Sequence, residues 1–180
     1  MATETEVKIE VDSQEMERVR RRLDVESTLK SPRLEELNVL YDQDDRFAAQ
    51  GCTLRLRSYG GRSILTFKGP LDATSLFKQR PEFQTEVVGA QMREILSGLG
   101  FEPRFRYDKY REIRNWIFQG NQIEVCLDET PAGLFVELEG DPATLEAAAH
   151  ELGWSRDRFI KKSYIEIYQE RLSPSDTRDE

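Results

Sequence analysis

Charged side chains recur at every second position in several stretches of this sequence, beginning with Glu4, Glu6 and Lys8. In a β-strand, alternate side chains point to opposite faces, so these three would share one face while Val7 and Ile9 share the other. Later stretches with the same alternation supply two sets of charges. The acidic set is Glu4, Glu6, Asp128, Glu137 and Glu139, and the basic set is Arg55, Arg57, Lys68, Arg80, Lys109 and Arg111.

The chemistry of these two sets is complementary. Carboxylate oxygens without histidine or cysteine neighbours are hard ligands that suit Mg²⁺ or Mn²⁺. Arginine forks and lysine ammonium groups suit phosphate oxygens. Because a face that is merely solvated usually intersperses the two signs, the grouping by sign predicts a polyanion held together with its metal.

The sequence disfavours several other kinds of site. His150, the one histidine, falls in a stretch with helical periodicity, which argues against histidine-based acid–base catalysis. The Gly60-Gly61 pair is not followed by the Gly-Lys-Ser/Thr of a nucleotide-binding P-loop. Cys52 and Cys126 lack the spacing of a zinc site or of a disulfide framework.

Net charge and hydropathy limit the kinds of partner that this protein could bind. The chain has 34 acidic and 26 basic residues, a net charge of −8, whereas nucleic-acid binding relies on a net basic surface. No stretch approaches the ~18 apolar residues of a membrane span, and the first residues lack the apolar core of a signal peptide. We therefore expect a cytoplasmic protein that binds neither nucleic acid nor membrane. A small polyphosphate in a local basic pocket is compatible with this charge, and both a monomer and a homodimer remain open.

Strands and helices must position these charges. Alternation or apolar runs predict strands over residues 3–11, 34–42, 52–59, 63–68, 77–88, 104–118, 122–128, 134–139 and 158–168. Helical periodicity predicts helices over residues 13–24, 91–99 and 142–152, a loop is expected over 27–33, and a short helical turn over 42–50. The Gly60-Gly61 pair predicts a tight hairpin, and Pro81 predicts an edge or a bulge within its strand.

Each predicted strand has one apolar face and one charged face, and two architectures can accommodate such strands. A sheet could pack its apolar face on the helices and leave the other face in water. Alternatively, the sheet could close into an antiparallel barrel with helices on its apolar exterior and a wet, ionic interior. The grouping of charges by sign favours the barrel. The length predicts a single domain, over residues 1–172, with a disordered tail at 173–180.

The segment Glu4-Thr-Glu6-Val-Lys8 resembles the Glu-x-Glu-x-Lys signature of the CYTH superfamily. These triphosphate tunnel metalloenzymes include class IV adenylyl cyclases and thiamine triphosphatases. Further matching motifs follow in the family's order: Tyr41-Asp42, Leu54-Arg55-Leu56-Arg57, Leu65-Thr66-Phe67-Lys68-Gly69-Pro70, Arg80-x-Glu82, Lys109-x-Arg111-Glu112, Leu127-Asp128, Val136-Glu137-Leu138-Glu139 and Lys162-Ser163-Tyr164.

The resemblance implies an α+β fold: a closed eight-stranded antiparallel barrel, with helices outside, that binds a linear triphosphate along its axis. It implies that metal is held by Glu4, Glu6, Asp128, Glu137 and Glu139, and that the phosphate path is lined by Lys8, Arg55, Arg57, Lys68, Arg80, Lys109 and Arg111. Glu4, Glu6 and Lys8 would be catalytic. Glu82 and Glu86 would support the metal site or hold a second metal, although Gln84 interrupts the acidic run found in many members.

Three functions are compatible with such a tunnel. The first is metal-dependent hydrolysis of tripolyphosphate, thiamine triphosphate or a nucleoside triphosphate by a water that a carboxylate or Lys8 orients. The second is a class IV adenylyl cyclase, which converts ATP to cyclic AMP and pyrophosphate. The third is a non-catalytic module that binds polyphosphate or nucleotide. We favour the hydrolase over the cyclase because no motif in the sequence would recognise adenine. We favour it over a binding module because basic residues alone could hold phosphate, and the acidic residues would then have no role.

Overall fold

The computed structural model describes residues 3–172, in which eight antiparallel strands close into a barrel. The strands are β1 (Thr3–Val11), β2 (Ser27–Asp42), β3 (Thr53–Tyr59), β4 (Arg62–Lys68), β5 (Lys78–Val87), β6 (Glu102–Phe118), β7 (Asn121–Thr130) and β8 (Gly133–Glu139). Hydrogen-bonded neighbours follow the order β5-β4-β3-β2-β6-β7-β8-β1, and pairing of β1 with β5 closes the ring. The predicted eight-stranded antiparallel barrel is therefore confirmed.

Within the described part of the chain, five helices pack around the barrel, which confirms the α+β class. They are α1 (Ser13–Glu26), α2 (Arg46–Ala49), α3 (Gly89–Gly98), α4 (Pro142–Glu151) and α5 (Tyr164–Arg171). A 3₁₀ turn (Arg156–Arg158) leads into a two-residue strand, β9 (Phe159–Ile160), that pairs with β1. No helix within residues 3–172 is long and apolar enough to cross a membrane. The tail predicted at 173–180 lies outside the described residues.

The hydrophobic core lies outside the barrel, between its wall and the helices. Val7 and Ile9 of β1 point outward, and Met16, Val19 and Leu23 of α1 pack in the same buried cluster. Outward-facing residues of β7 and β8 and the apolar residues of α4 belong to the same cluster: Ile123, Val125, Leu127, Val136, Leu138, Leu145, Ala148 and Ala149. Because the outer faces of the strands supply this core, their inner faces are free to carry charge.

A second apolar cluster closes one end of the barrel. Phe135 of β8 and Tyr107 of β6 face the interior, where they meet Tyr164 and Tyr168 of α5. Ring centroids lie 5.5 Å apart for Phe135 and Tyr164 and 5.4 Å apart for Tyr107 and Tyr168. The interior is therefore ionic along part of its length, as the sequence predicted, and aromatic at the end that α5 occupies, which the sequence did not predict.

The prediction of a strand over residues 158–168 is wrong. Only Phe159–Ile160 pairs with β1, and residues 164–171 form α5 instead. The helix begins with a capping box, in which the Ser163 side chain accepts the backbone N–H of Glu166 while the Glu166 carboxylate accepts the backbone N–H of Ser163. Ser-x-x-Glu is a sequence signature of a helix start, so the alternating apolar residues misled the strand assignment although the signal for a helix was present.

The predicted loop over residues 27–33 is also wrong, because β2 runs unbroken from Ser27 to Asp42 against β6. Register shifts between Leu29 and Ser31 and between Ser31 and Leu34 surround Pro32. A bulge leaves one residue unpaired, so the proline, which lacks a backbone donor, is tolerated there. The bulged start of a strand thus looked like a loop in the sequence.

Two predictions about turns and edges have different outcomes. The hairpin at Gly60 and Gly61 is confirmed, and both glycines have positive φ angles of 52° and 77°. Strand β5 is not an edge, because it pairs with both β4 and β1. Pro81 lies where the partner strand changes: it pairs with Thr3 of β1, whereas the next residue, Glu82, pairs with β4.

Candidate active site in the barrel interior

A cavity of about 290 Å³ lies inside the barrel, next to α5. All eight barrel strands contribute to its lining, and most of the lining side chains are charged. The basic side chains are Lys30, Arg55, Arg57, Lys68, Lys78, Arg80, Lys109 and Arg111, and the acidic ones are Glu4, Glu6, Glu82, Glu124, Glu137 and Glu139. A cavity with this lining suits an ionic ligand far better than an apolar one.

Two arginines of β3 offer unused hydrogen-bond donors inside the barrel. The Nε atoms of Arg55 and Arg57 are buried and have no hydrogen-bond partner among residues 3–172. Burial, together with the neighbouring Arg55, lowers the pKa of Arg57 below its usual value. An unpaired buried donor is costly, and a polyanion would both accept these N–H groups and offset the crowding of positive charge.

Several cavity carboxylates are paired with lysines and arginines of β4 and β5. Both Glu4 oxygens accept from Lys68 Nζ, at 2.6 and 2.8 Å, and Arg80 Nε lies 3.5 Å from Glu4 Oε2. Glu6 Oε1 accepts from Lys78 Nζ at 2.6 Å. The predicted grouping by sign is therefore only partial, because acids and bases also alternate as ion pairs across the interior.

Asp128 lies in the wall behind the cavity rather than on its surface. It is fully buried and accepts hydrogen bonds from Lys109 Nζ at 2.9 Å and from Arg111 Nε at 2.6 Å. Burial opposes ionisation of Asp128, but Arg111 and Lys109 outweigh it and hold the pKa of Asp128 below its usual value. Asp128 thus orients two cavity cations, and its oxygens are already engaged.

Lys8 is also buried in the wall. Its Nζ donates to the main-chain oxygen of Lys162 at 2.9 Å and lies 3.3 Å from Glu137 Oε1. Burial, together with the positive charge of Lys78, lowers the pKa of Lys8 to about 8, although Glu137 and Glu6 oppose the shift. A lysine with such a pKa exchanges its proton more readily near neutral pH than an ordinary one.

Carboxylates crowd one another around Glu139. Burial, reinforced by Glu4, Glu124 and Glu6, raises the pKa of Glu139 to about 8. No three metal-binding side chains converge into a preformed site within residues 3–172. Mg²⁺, however, keeps several waters and is commonly held by one or two carboxylates plus substrate phosphates. Oxygen donors that repel one another therefore fit a hard divalent ion that arrives together with a phosphate ligand.

The structure sorts the residues predicted for the site into three groups. The cavity lining contains Glu4, Glu6, Arg55, Arg57, Lys68, Arg80, Glu82, Lys109, Arg111, Glu137 and Glu139. Lys8 and Asp128 lie in the wall behind that lining. Glu86 is not brought to the cavity, because its side chain is about half exposed and pairs with Arg62 at 2.6 Å.

Several residues around the cavity were not predicted as part of the site. Lys78 lies on the same face as Arg80, and Glu124 on the same face as Asp128, so the alternation could have identified both. Glu36 is buried 3.4 Å from Arg57 Nη1 and could have been identified in the same way. Tyr164 could not be identified by alternation, since it belongs to the helix that was predicted as a strand.

Comparison with known proteins agrees with this geometry. A model of the CYTH domain family matches residues 2–164 of the chain. No curated protein sequence matches the chain.

Solved structures share the barrel. A putative adenylate cyclase from Vibrio parahaemolyticus is 22% identical, with a TM-score of 0.76, and the match covers 92% of this chain and 97% of that one. A protein from Pyrococcus horikoshii OT3 is 25% identical, with a TM-score of 0.70 over 93% of this chain and 98% of that one. A Hippeastrum protein is described as a putative adenylyl cyclase with a dominant triphosphatase activity. It is 13% identical, with a TM-score of 0.71 over 99% of this chain and 100% of that one.

Proposed function

The chain belongs to the CYTH domain family, and we propose that it hydrolyses a triphosphate in the barrel cavity with the help of a divalent metal ion. The substrate class comprises inorganic tripolyphosphate, thiamine triphosphate and nucleoside triphosphates. The single observation that carries this proposal is the set of buried guanidinium donors without partners, on Arg55 and Arg57, in a cavity lined by further cations. A linear polyanion satisfies these donors.

The basic residues bind the phosphate chain. Arg55, Arg57, Lys109 and Arg111 come from β3 and β6, while Lys68 and Arg80 come from β4 and β5. Phosphate oxygens held from several strands at once leave the terminal phosphorus in one orientation. Phosphoryl transfer depends mainly on such positioning and on neutralising the charge of the oxygens, and the rigid barrel wall provides both.

Glu4, Glu6, Glu137 and Glu139 are the residues that would hold Mg²⁺ or Mn²⁺. A bound divalent ion neutralises phosphate charge and polarises phosphoryl oxygens. Asp128 keeps Lys109 and Arg111 aimed at the substrate. One of the cavity carboxylates orients the attacking water. Lys8 lies behind the lining, 3.3 Å from Glu137 Oε1, and its lowered pKa lets it take up a proton and release it near neutral pH.

An adenylyl cyclase is the second candidate, because the same cavity would hold ATP with its α-phosphorus exposed to the ribose hydroxyl. Two of the similar structures are described as putative adenylate or adenylyl cyclases. The dominant triphosphatase activity described for the Hippeastrum protein favours the hydrolase.

One assay separates the candidates. Purified protein is incubated with Mg²⁺ or Mn²⁺ and, in separate reactions, with tripolyphosphate, thiamine triphosphate and ATP. We expect release of inorganic phosphate that stops when the metal is chelated. Pyrophosphate together with cyclic AMP would identify a cyclase, and binding without turnover of any of the three would indicate a non-catalytic module.

A further inference from the structure

Tyr164, the first residue of α5, lies among charged side chains at the closed end of the cavity. Its hydroxyl donates a hydrogen bond to Asp128 Oδ2. The Nζ atoms of Lys8 and Lys109 lie 4.1 and 4.3 Å from the centre of its ring. One neutral side chain therefore contacts two cations and one anion of the barrel interior.

The hydroxyl of Tyr164 acts on the cavity through Asp128. The same carboxylate accepts from Lys109 Nζ at 2.9 Å and from Arg111 Nε at 2.6 Å, and both of these cations line the cavity. If Asp128 lost the tyrosine donor, one of the hydrogen bonds that orient its carboxylate would be gone, and the alignment of Lys109 and Arg111 would be less constrained. The hydroxyl thus constrains groups that it does not touch.

The ring of Tyr164 acts directly on the lysines. The face of an aromatic ring attracts an ammonium group, and both Lys8 and Lys109 are buried where water cannot replace that attraction. The ring position is itself fixed, because Ser163 caps α5 and the preceding Lys162 carbonyl accepts from Lys8 Nζ at 2.9 Å. The start of α5 therefore holds Lys8 from two sides.

We propose that Tyr164 is a positioning residue, whose hydroxyl aligns Lys109 and Arg111 for phosphate binding through Asp128 and whose ring fixes Lys8. This inference rests on the proposed function and assigns α5 a part in it. The helix then contributes to catalysis in addition to closing one end of the barrel.

Two substitutions separate the hydroxyl from the ring. Tyr164→Phe removes the donor to Asp128 and keeps the aromatic face, whereas Tyr164→Leu removes both. Tyr168→Phe is the matched control: Tyr168 lies one turn further along α5 in the same aromatic cluster, and its hydroxyl donates to the Asp108 carbonyl at 2.7 Å. For each protein, kcat and KM for tripolyphosphate with Mg²⁺ are measured, together with the melting temperature and, by calorimetry with Ca²⁺, the Kd of tripolyphosphate.

We expect Tyr164→Phe to raise both KM and Kd about tenfold while kcat stays within about twofold of wild type, because a hydrogen bond to a charged group is lost. Tyr164→Leu should also lower kcat by about tenfold or more, since Lys8 loses the aromatic face. Tyr168→Phe should leave KM, Kd and kcat unchanged.

The inference is overturned if Tyr164→Phe and Tyr168→Phe lower the melting temperature alike while both keep the wild-type Kd. If the wild-type protein binds tripolyphosphate but releases no phosphate, the proposed hydrolysis fails, and the Kd values still decide the role of the hydroxyl. Absence of tripolyphosphate binding by the wild-type protein would overturn both proposals.

Discussion

The two faces of the barrel wall differ in what they bury. The outer face packs Val7, Ile9 and their neighbours against α1 and α4, in an apolar layer that is almost completely shielded from water. The inner face buries charges such as Glu6 and Lys78, which form an ion pair. Burial of apolar surface stabilises a fold, whereas a buried ion pair often contributes little net stability. The outer face therefore holds the barrel together, and the inner face is organised for a ligand.

Breaking the outer face should have the largest effect on stability. Leu145 of α4 is fully buried in the outer cluster, so Leu145→Ala should cost about 2–5 kcal/mol of unfolding free energy. At roughly 2–4 °C per kcal/mol, the melting temperature should fall by several degrees or more. The kcat of the protein that remains folded should not change.

The matched control for the outer face is Leu99→Ala, because the Leu99 side chain is 62% exposed. Its melting temperature should stay close to that of the wild type. If Leu145→Ala and Leu99→Ala melted at the same temperature, the outer layer would not be the main source of stability.

Replacing one acidic residue of the inner face should have the opposite effects on stability and on turnover. Glu139→Gln should reduce turnover by roughly a hundredfold, about 2.7 kcal/mol of transition-state stabilisation, because a carboxylate of the metal site is lost. The melting temperature of the ligand-free protein should rise, since Glu139 is buried beside Glu4, Glu124 and Glu6. Turnover and thermal melting are measured on the same preparation.

Glu86→Gln serves as the control for this substitution, since Glu86 is an exposed residue that pairs with Arg62. It should retain wild-type turnover. A Glu139→Gln protein that turned over at the wild-type rate would remove Glu139 from the metal site.

Truncating an arginine of the cavity should raise KM more than it lowers kcat. Arg57→Ala removes a charge-assisted contact of about 1.5–3 kcal/mol, so KM for tripolyphosphate should rise between about tenfold and a hundredfold. Arg62→Ala is the comparison, because Arg62 lies on the neighbouring strand with its side chain 56% exposed. Equal KM values for the two variants would place Arg57 outside the phosphate path.

Ion pairs on the outside of the molecule should contribute least to the stability of the fold. The hydrogen bond from Arg158, with smaller contributions from the Asp12 backbone and Trp154, lowers the pKa of Glu15 to about 2, below its usual value near 4.5. A lowered carboxyl pKa stabilises the fold above about pH 4.5, and this contribution is lost as the pH falls toward 2. Partly exposed pairs contribute about 1 kcal/mol or less.

Glu15→Gln should therefore melt slightly below the wild type at pH 6, by no more than about 2–4 °C. The difference should shrink as the pH is lowered from 6 to 3. A constant difference across that range would mean that the charge of Glu15 is not what stabilises its contact with Arg158.

The sequence predicted the barrel and most of its lining because alternation reports directly which side of a strand a residue faces. Glu4, Arg57 and Glu137 reach the cavity for this reason. Alternation cannot say whether a side chain reaches the cavity or stops in the wall, which is why Lys8 and Asp128 were grouped with the lining residues.

The missed features have two causes: two local signals that disagreed, and tertiary contacts that a local pattern does not encode. Helix α5 was predicted as a strand, although Ser163 and Glu166 form its capping box, because Ile165 and Ile167 alternate with polar residues in the sequence. Contacts between residues distant in the chain, such as that of Tyr164 with Asp128, depend on how the helix enters the barrel. Only the folded structure brings them together.

The central claim is that the inner face of the barrel is built for a triphosphate and a divalent ion. The most direct test is the melting temperature with and without saturating tripolyphosphate and Ca²⁺, an ion chosen to support binding without turnover. A ligand at a hundredfold excess over its Kd stabilises the native state by about 2.7 kcal/mol, which corresponds to a rise of several degrees at this size. Lys68→Ala or Arg80→Ala should remove most of that rise. A melting temperature that does not respond to millimolar tripolyphosphate in the wild-type protein would contradict the account.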